Sequence, residues 1–434
     1  MAAKDEDHAA RPGEIGIAAS QLRPGVYVRL PVPWLEHQFM FSAFVIADQD
    51  QVRQIAALGL KTLYCDPARC RVPPLPKPAE APPPDPASEA ENARLAELRA
   101  AQMAEKLART EAMNVLRGRL DRAQKHYAGA AKAVGAAFKT FDANPEESVR
   151  QVSEVSRLST AALLADPDSA IVLIAEKAQT DGHAAHSLSV MTLALLLGKQ
   201  ARLPDDALHA LGIAALLHDI GKATINPSIL RNPSRNKHEE ALYQTHCRLG
   251  HDSAKRAGRL TPPMLDAILH HHERLDGKGF PDGLAGKDIA VAARIVAIAN
   301  RFDNLANPAD PRRAVSPAEA LAILWSKERS AFDPVLLQLF IRAMGVYPPG
   351  SIVLLSDGRV GAVVASAGTD TPLAPQVMVY APEIPRRQAI IVDLAKEARL
   401  AIDRSLRLQD RPDDELDYLL PRRKLNWFHT EGQG

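Results

Sequence analysis

The sequence has few cysteines, almost no net charge and no long hydrophobic run, and each absence excludes a class of protein. Three cysteines in 434 residues argue against a disulfide framework and favour a reducing compartment. The formal charge is +1, from 53 basic and 52 acidic residues, so no general attraction to nucleic acid or to a membrane surface is indicated. Neither a basic-then-apolar leader nor an apolar run of about 18 residues is present, and we therefore expect a cytoplasmic protein without a membrane span.

The N-terminal part of the sequence predicts a small α/β module at residues 15–72. Alternating apolar and polar residues predict strands at residues 22–30, 39–46 and 61–65, with a short helix at residues 49–58. We expect the aromatic residues of this module to pack in its core and not to take part in catalysis. Residues 73–87 then contain eight prolines, which predicts an extended, semi-rigid linker.

A long helical connector is predicted at residues 88–142. Ser88 and Glu91 form a capping-box pattern at its start, and the composition predicts a helix that reaches about residue 120. Its apolar residues recur at three- and four-residue steps, as one stripe would: Leu95, Leu98, Leu107, Met113, Leu116 and Leu120. Such a stripe needs a partner helix, which a homodimer through residues 88–120 or packing against the rest of the chain would supply. Further helices are predicted at residues 130–141 and 146–164.

The chain after Gly345 changes from helical to strand periodicity. Short apolar strands are predicted at residues 351–355, 361–364 and 376–380, separated by Asp-Gly and Gly/Thr/Pro turns. These strands predict a small β-rich extension at residues 345–400, followed by a polar tail at residues 401–434. With a helical domain at residues 146–344, the fold class is multidomain and mainly α.

The pair His218-Asp219 ends an otherwise apolar helical segment, and it is the most informative feature of the sequence. Buried polar neighbours of this kind need a compensating partner, and a metal ion supplies one. Further ligand-type residues lie on both sides of this pair. His186 precedes it, and the residues after it are His246, His271, His272, Asn300 and Asp303. A lone histidine such as His183 or His209 is more often a satisfied core residue. Several in separate helical segments predict one or two divalent ions, with a position open for water, and hydrolysis of phosphate esters.

From about residue 181 to residue 344 the sequence resembles the HD-GYP family, a branch of the HD phosphohydrolases that contains bacterial cyclic di-GMP phosphodiesterases. The resemblance rests on motifs that occur in one order. They are His186-Ser187-Leu188, His218-Asp219-Ile220-Gly221-Lys222, His246 with Gly250, His271-His272-Glu273-Arg274, Asp276-Gly277-Lys278-Gly279-Phe280-Pro281-Asp282-Gly283, Ala293-Arg294-Ile295, Ser316-Pro317-Ala318-Glu319-Ala320 and Phe332-Asp333-Pro334. Residues 15–72 are similar to the small domain often found ahead of HD-GYP domains, for which we expect contact with a signal or a signalling protein.

The resemblance implies a helical metal site with one or two ions of iron, manganese, nickel or zinc. Its implied ligands are His186, His218, Asp219, His246, His271 and His272, with Asn300 as a further ligand. Asp219 would bridge two metals, and Lys222 would lie beside the attacking water or the scissile phosphate, where a cation offsets developing charge. The turn that contains Gly279 and Phe280 would form one wall of the substrate groove, with Asp303 and Arg312 near the substrate.

Four positions depart from the family pattern. Asn300 replaces an Asp, which removes one anion, and Phe280 replaces a Tyr, which removes a phenolic hydroxyl. Ala309 replaces an Arg that contacts substrate in relatives. Gly182 stands where some members have a Glu that holds a third metal, so we expect two metals at most.

Two functions follow from these residues. The first is metal-dependent hydrolysis of cyclic di-GMP to pGpG or GMP in bacterial signalling, with Asp219 and Lys222 as catalytic residues. The second is a degenerate protein that keeps the fold and acts as a cyclic di-GMP-binding or protein-interaction scaffold, which the changes at Asn300, Phe280 and Ala309 motivate. The complete set of histidines favours the enzyme, because burying them without a metal costs free energy.

Overall fold

The computed structural model describes residues 10–33, 37–77, 86–175, 182–308, 310, 313–367 and 371–420. They form two compact units. One comprises residues up to Asn114 with the segment Glu383–Ala389, and the other comprises Val115–Pro382 with the residues from Ile390 onwards. The fold is mainly helical, with a small N-terminal β module and C-terminal strands, as the sequence predicts. None of the helices in the described ranges is long and apolar enough to cross a bilayer.

The N-terminal unit contains a four-stranded antiparallel sheet with strand order β1-β4-β2-β3. Its elements are β1 (Ile15–Ile17), β2 (Tyr27–Arg29), β3 (Ala43–Val45), helix α1 (Gln49–Ala56) and β4 (Leu63–Cys65). The apolar residues Val26, Val28, Ile55 and Leu63 form its core. The three predicted strands and the predicted helix are present in shorter form. Strand β1 was missed because three residues with a central glycine carry almost no strand pattern.

Two buried charged residues belong to this unit. Arg29 forms a bidentate ion pair with Glu14, whose pKa the Arg29 guanidinium holds below its usual value. Lys106 is fully buried and donates hydrogen bonds to the carbonyl oxygens of His37, at 3.1 Å, and Phe39, at 2.9 Å. Burial lowers the pKa of Lys106 to about 8.

Helix α2 (Pro86–Thr140) is a single helix of 55 residues. The sequence predicted an end near residue 120 and a separate helix at residues 130–141, which was wrong. No proline interrupts residues 121–129, and an isolated glycine such as Gly129 weakens a helix without ending it. The apolar stripe is split by burial, since Met113, Leu116 and Leu120 are buried whereas Leu98 and Leu107 are exposed.

The second unit is built around two helices that are apolar on nearly all sides, α5 and α6. The helices after α2 are α3 (Pro145–Ala165), α4 (Pro167–Ala175), α5 (Gly182–Gln200), α6 (Asp205–Leu217), α7 (Pro227–Arg231), α8 (Lys237–Gln244), α9 (His246–Arg256), α10 (Pro262–His270), α11 (Val291–Ala306), α12 (Pro317–Ser326) and α13 (Pro334–Met344). Helices α3, α10 and α11 pack against the central pair. Proline begins several of these helices, where its fixed φ and missing N–H are tolerated.

A five-stranded antiparallel sheet follows, with strand order β8-β7-β6-β5-β9. The strands are β5 (Ile352–Leu355), β6 (Val360–Ala365), β7 (Gln376–Val379), β8 (Ile391–Asp393) and β9 (Ile402–Ser405), followed by helix α14 (Asp413–Leu419). The first three match the predicted strands. Strand β9 and helix α14 lie in the segment whose composition indicated a polar tail. Strand β9 was not predicted, because the charged residues Asp403 and Arg404 are typical of a loop in sequence. An edge strand such as β9 can nevertheless expose charged side chains.

Candidate metal centre

His218 and Asp219 lie where the buried helix α6 ends. Residues Leu211–Leu217 are buried, His218 follows as the C-cap, and Asp219 precedes a short 3-10 turn at Ile220–Thr224. That turn packs closely on α9, since a Cβ added to Gly221 would lie 2.1 Å from the carbonyl oxygen of His246. Glycine at position 221 therefore lets the two ligand-bearing segments approach each other.

Three histidines are held in the same way, through Nδ1. His218 donates to the carbonyl oxygen of Ala215 at 2.8 Å, His246 to that of Tyr243 at 2.6 Å, and His271 to that of Ile268 at 2.8 Å. Each acceptor is the residue three positions earlier. A carbonyl oxygen only accepts, so Nδ1 carries a proton and Nε2 is the ring atom left to offer a lone pair to a metal ion.

His186 has a carboxylate behind it instead of a carbonyl group. Its Nδ1 lies 2.7 Å from Asp303 Oδ2, and Asp303 is fully buried on α11. A carboxylate in this position fixes the ring and makes Nε2 a better ligand. The carboxylate of Asp303 thus faces His186, and its predicted place near the substrate stays a prediction.

The two oxygens of Asp219 face different groups of histidines. Oδ1 lies 3.4 Å from His246 Nε2 and 3.6 Å from His271 Nε2. Oδ2 lies 3.3 Å from His218 Nε2 and 3.5 Å from His186 Nε2. The ligand atoms in each group lie within 4.8 Å of one another, with His272 in the first group. Asp219 is thus shared by two candidate metal positions.

Several polar atoms in this cluster are buried and accept or donate no hydrogen bond. They are Nε2 of His186, His218 and His272 and Oδ1 of Asp219. An unsatisfied buried polar atom costs about 1–3 kcal/mol. Four such atoms that converge on one place fit a divalent cation, and His/Asp ligands suit iron, manganese, nickel and zinc alike.

The shifted pKa values of Asp219 and of three histidines favour the protonation states that bind metal. Burial lowers the pKa of His271 to about 3, and it lowers the pKa values of His186 and His272 as well, so the rings are neutral near pH 7. Burial opposes ionisation of Asp219, but His218 and Lys222 hold its pKa well below the usual value. A neutral imidazole and an ionised carboxylate are the forms that bind metal.

Lys222 is a cation at the edge of the cluster. Its Nζ lies 2.5 Å from Asp219 Oδ2 and 5.4 Å from the centre of the Tyr243 ring. Burial opposes its charge, but the carboxylate of Asp219 outweighs burial and raises the pKa of Lys222. The lysine therefore stays charged beside the position where the two groups of histidines meet.

The turn after His272 forms one side of the cluster, and Glu273 ties it down. Glu273 Oε1 accepts hydrogen bonds from the amides of Asp282, at 2.7 Å, and Gly283, at 3.0 Å. The Phe280 ring stacks on His272 at 4.5 Å with an interplanar angle of 21°. A Cβ on Gly279 would lie 2.4 Å from the Arg274 amide nitrogen, so close packing of this turn is the physical reason for glycine there.

Two residues with predicted roles are not brought to the cluster by any recorded contact. Asn300 is buried on α11, and its amide oxygen accepts a 2.7 Å hydrogen bond from Asn304. Its role as a metal ligand stays a prediction. Arg312, together with Ala309, lies outside the described residues.

Sequence reasoning missed two features around the site. Tyr243 packs beside His246 with a ring-centre distance of 4.9 Å and also contacts Arg235, whose guanidinium lies 4.0 Å from its ring centre. His270 links Asp266, at 2.8 Å, to Asp282 on the Phe280 turn, at 3.0 Å. Tyr243 lies near the end of α8, three residues before His246 begins α9, and Thr245 between them keeps helical backbone angles, so this spacing was the available indication.

Comparisons with known proteins agree with this geometry. Residues 162–336 match the HD domain family. Over these residues the chain resembles HD domains. Residues 14–152 match a domain of unknown function, DUF3391. These matches confirm the sequence-based recognition of an HD-type domain that follows a small N-terminal domain.

Curated relatives carry names that describe cyclic dinucleotide hydrolysis. The chain is 33% identical over 230 residues to "Cyclic di-GMP phosphodiesterase PA4108" of Pseudomonas aeruginosa. The matched segment covers 53% of this chain and 54% of the relative. It is 34% identical over 149 residues to "Cyclic di-GMP phosphodiesterase response regulator RpfG" of Xanthomonas campestris, and this match covers 34% of this chain and 39% of the relative. It is 32% identical over 168 residues to "3'3'-cGAMP-specific phosphodiesterase 3" of Vibrio cholerae, and this match covers 38% of this chain and 36% of the relative. The chain thus spans about half the length of the first of these relatives and less of the other two.

Proposed function

We propose that this chain is a metal-dependent phosphodiesterase that hydrolyses cyclic di-GMP to pGpG or GMP in bacterial second-messenger signalling. The observation that supports this proposal is the arrangement of four histidines, each held by a contact at Nδ1. Their Nε2 atoms face the two carboxylate oxygens of Asp219. The names of the relatives support a cyclic dinucleotide as substrate, either cyclic di-GMP or 3'3'-cGAMP.

The proposed ligands divide between the two oxygens of Asp219. His186 and His218 would hold one ion with Oδ2, and His246, His271 and His272 would hold another with Oδ1. We keep Asn300 as a proposed additional ligand and one or two ions per chain. A divalent ion in such a site polarises a phosphoryl oxygen and lowers the pKa of bound water.

The surrounding residues contribute charge and shape. Lys222 would offset the negative charge that develops on the phosphate, because it remains protonated beside Asp219. Asp303 would orient His186 through the 2.7 Å contact to Nδ1. Phe280 and Gly279 would form the wall of the substrate groove, and Arg312 remains a proposed substrate contact.

We also propose the arrangement around this site. We retain as a proposal the division of the chain into an α/β module at residues 15–72, a linker, a helical connector, an HD-type domain at residues 146–344 and a β-rich extension. The N-terminal module would contact a signal or a signalling protein in the cytoplasm. A homodimer through residues 88–120 is supported by the exposure of Leu98 and Leu107, which lie on one long helix.

The decisive experiment combines metal analysis with turnover of cyclic di-GMP and 3'3'-cGAMP by the purified full chain. We expect one or two equivalents of metal and hydrolysis of at least one dinucleotide. His246→Ala should lose both. His251→Ala is the matched control, because His251 lies on the same helix and pairs with Asp252 instead of Asp219. Full metal content and turnover in His246→Ala would refute the proposed site.

The second candidate function is a degenerate scaffold that binds cyclic di-GMP without hydrolysing it. The observation in its favour is that the amide oxygen of Asn300 already accepts a hydrogen bond from Asn304, whereas a carboxylate at that position would add an anion. Phe280 also lacks a hydroxyl group for the phosphate. Metal-loaded protein that binds cyclic di-GMP in calorimetry and turns over neither dinucleotide would support this alternative.

A further inference from the structure

Two thiol groups in the N-terminal unit lie against each other. Cys65 is the last residue of β4, and a 3-10 turn at Pro67–Arg69 brings Cys70 back beside it. Their sulfur atoms are 3.4 Å apart, and both side chains carry free thiols. Cys65 is fully buried, whereas Cys70 is partly exposed. The pair therefore has one inner and one outer thiol.

We propose that Cys65 and Cys70 are a peroxide-reactive thiol pair that forms a reversible intrachain disulfide. A disulfide has an S–S distance of about 2.05 Å, so the two sulfur atoms need to approach by roughly 1.4 Å. The turn between them is short and surface-exposed, with Pro67, Ala68 and Arg69 all exposed. A small adjustment of this turn, which is not part of the sheet, brings the sulfur atoms to bonding distance.

The surroundings of the two thiols assign different roles to them. Cys70 Sγ accepts a 3.2 Å hydrogen bond from the amide of Tyr27 and donates one to the carbonyl oxygen of Asp66, at 3.3 Å, so both contacts hold this sulfur in place beside Cys65. Burial raises the pKa of Cys65 to about 12, so Cys65 remains protonated and out of reach of solvent. Cys70 is the partly exposed thiol of the pair, so it is the residue that an oxidant in solution reaches first.

The chemistry balances with one hydroperoxide per pair. The Cys70 sulfur attacks the outer oxygen of the peroxide as its thiol proton is released, and the O–O bond breaks. Cys70 becomes a sulfenic acid, and the departing oxygen takes up a proton and leaves as water or an alcohol. The Cys65 sulfur then attacks Cys70 sulfur and displaces hydroxide, which takes the proton of Cys65 and leaves as water. Two electrons pass from the two thiols to the peroxide. A dithiol returns both cysteines to the reduced form by exchange.

Cys247 provides an internal comparison within the same chain. It is fully buried in α9, and burial raises its pKa. Its nearest recorded polar neighbour is His246 Nε2, at 3.6 Å, with no second thiol recorded beside it among the described residues. Cys247 should therefore react slowly and form no intrachain bond.

The test uses the full-length chain, hydrogen peroxide as the probe, a thiol-alkylating reagent and intact mass spectrometry. Untreated protein that is unfolded before alkylation should carry three adducts, one for each cysteine. Peroxide-treated protein should carry one adduct and be two hydrogens lighter, and dithiothreitol should restore all three. Cys247→Ser should still form the bond, with no adduct left after oxidation.

The single variants test the assignment of roles. Cys65→Ser should form no disulfide and should accumulate a sulfenic acid at Cys70 that dimedone traps. Cys70→Ser should consume peroxide at least about tenfold more slowly than wild type, because its remaining thiols are protonated and buried. Circular dichroism checks that both variants fold.

Three outcomes would overturn the proposal. Wild-type protein could accumulate sulfinic acid at Cys70 while Cys65 remains alkylatable, which would mean that the buried thiol does not resolve the oxidised one. The disulfide could form only between chains, or only in denaturant, which would exclude the native turn as its cause. Finally, all three thiols could survive peroxide treatment that oxidises a surface cysteine in a control protein.

Discussion

Replacing Gly221 by alanine should separate the two halves of the metal centre. The added Cβ would lie 2.1 Å from the carbonyl oxygen of His246 and 2.5 Å from the amide nitrogen of Gly250. Both are backbone atoms, which cannot move aside as a side chain can. The 3-10 turn after Asp219 and the start of α9 must therefore move apart by about 1 Å before ordinary contact distances are restored. That shift widens the 3.4 Å separation of Asp219 and His246.

The expected cost lies at the upper end of that for overpacking a core, about 3 kcal/mol. For a unit of about 310 residues, whose unfolding entropy is about 0.65 kcal/mol/K, such a loss corresponds to a fall in melting temperature of roughly 4–5 °C. Metal content should fall together with stability, because His246 and Asp219 no longer converge. Differential scanning calorimetry and metal analysis of the purified variant measure the two effects separately.

Gly129→Ala provides the matched control. It makes the same chemical change inside α2, where an added Cβ would meet nothing within 4 Å. We expect it to stabilise the chain by about 0.5–1 kcal/mol, since alanine is the better helix former. If Gly221→Ala melted and bound metal as the wild type does, the close approach would have no energetic role and the reasoning would be refuted.

Three further predictions concern Asp303, Asn300 and Glu14. Asp303→Asn should weaken metal binding about 10–100-fold while α-helical circular dichroism is retained, because an amide orients His186 less firmly; unchanged metal affinity in a competition titration would contradict this. Asn300→Asp should raise metal affinity and turnover of cyclic di-GMP in a weakened enzyme, and a fall in turnover would mean that the amide suits the site. Glu14→Gln should destabilise the N-terminal unit by about 3 kcal/mol at pH 7, because Arg29 loses its buried partner. The Glu14 pKa is lowered on folding, so its stabilisation is present above the unfolded value of 4.5 and is lost as the pH falls through the folded value. Hydrogen exchange of β1–β4 should therefore depend less on pH below 4.5 in the variant than in the wild type.

The histidine cluster was predictable because each ligand is marked by local sequence. His218 and His271 follow apolar helical segments, and the carbonyl group that orients each of the rings of His218, His246 and His271 lies only three residues earlier. A local pattern of this kind can be read from one sequence. The central helices were likewise predictable, since continuous apolar runs in α5 and α6 indicate burial.

The position of Asp303 could not be predicted, because its partner His186 lies 117 residues away. Only the packing of α11 against α5 brings the two side chains together. Strand β9 was missed for a similar reason, as its pairing with β5 joins residues about 50 positions apart and its own side chains are charged. Interactions that tertiary packing creates leave no local periodicity to detect.

The hydrogen bonds that Glu273 accepts from the amides of Asp282 and Gly283 have a consequence for recognition. They hold the loop that carries Phe280 in one conformation before any ligand arrives. A ligand that packs on this loop therefore loses its own freedom on binding but does not have to order the protein as well. Under the proposed function, discrimination among cyclic dinucleotides at this surface depends on how well the shape of each ligand matches a fixed wall, and molecules that need the loop to move are rejected.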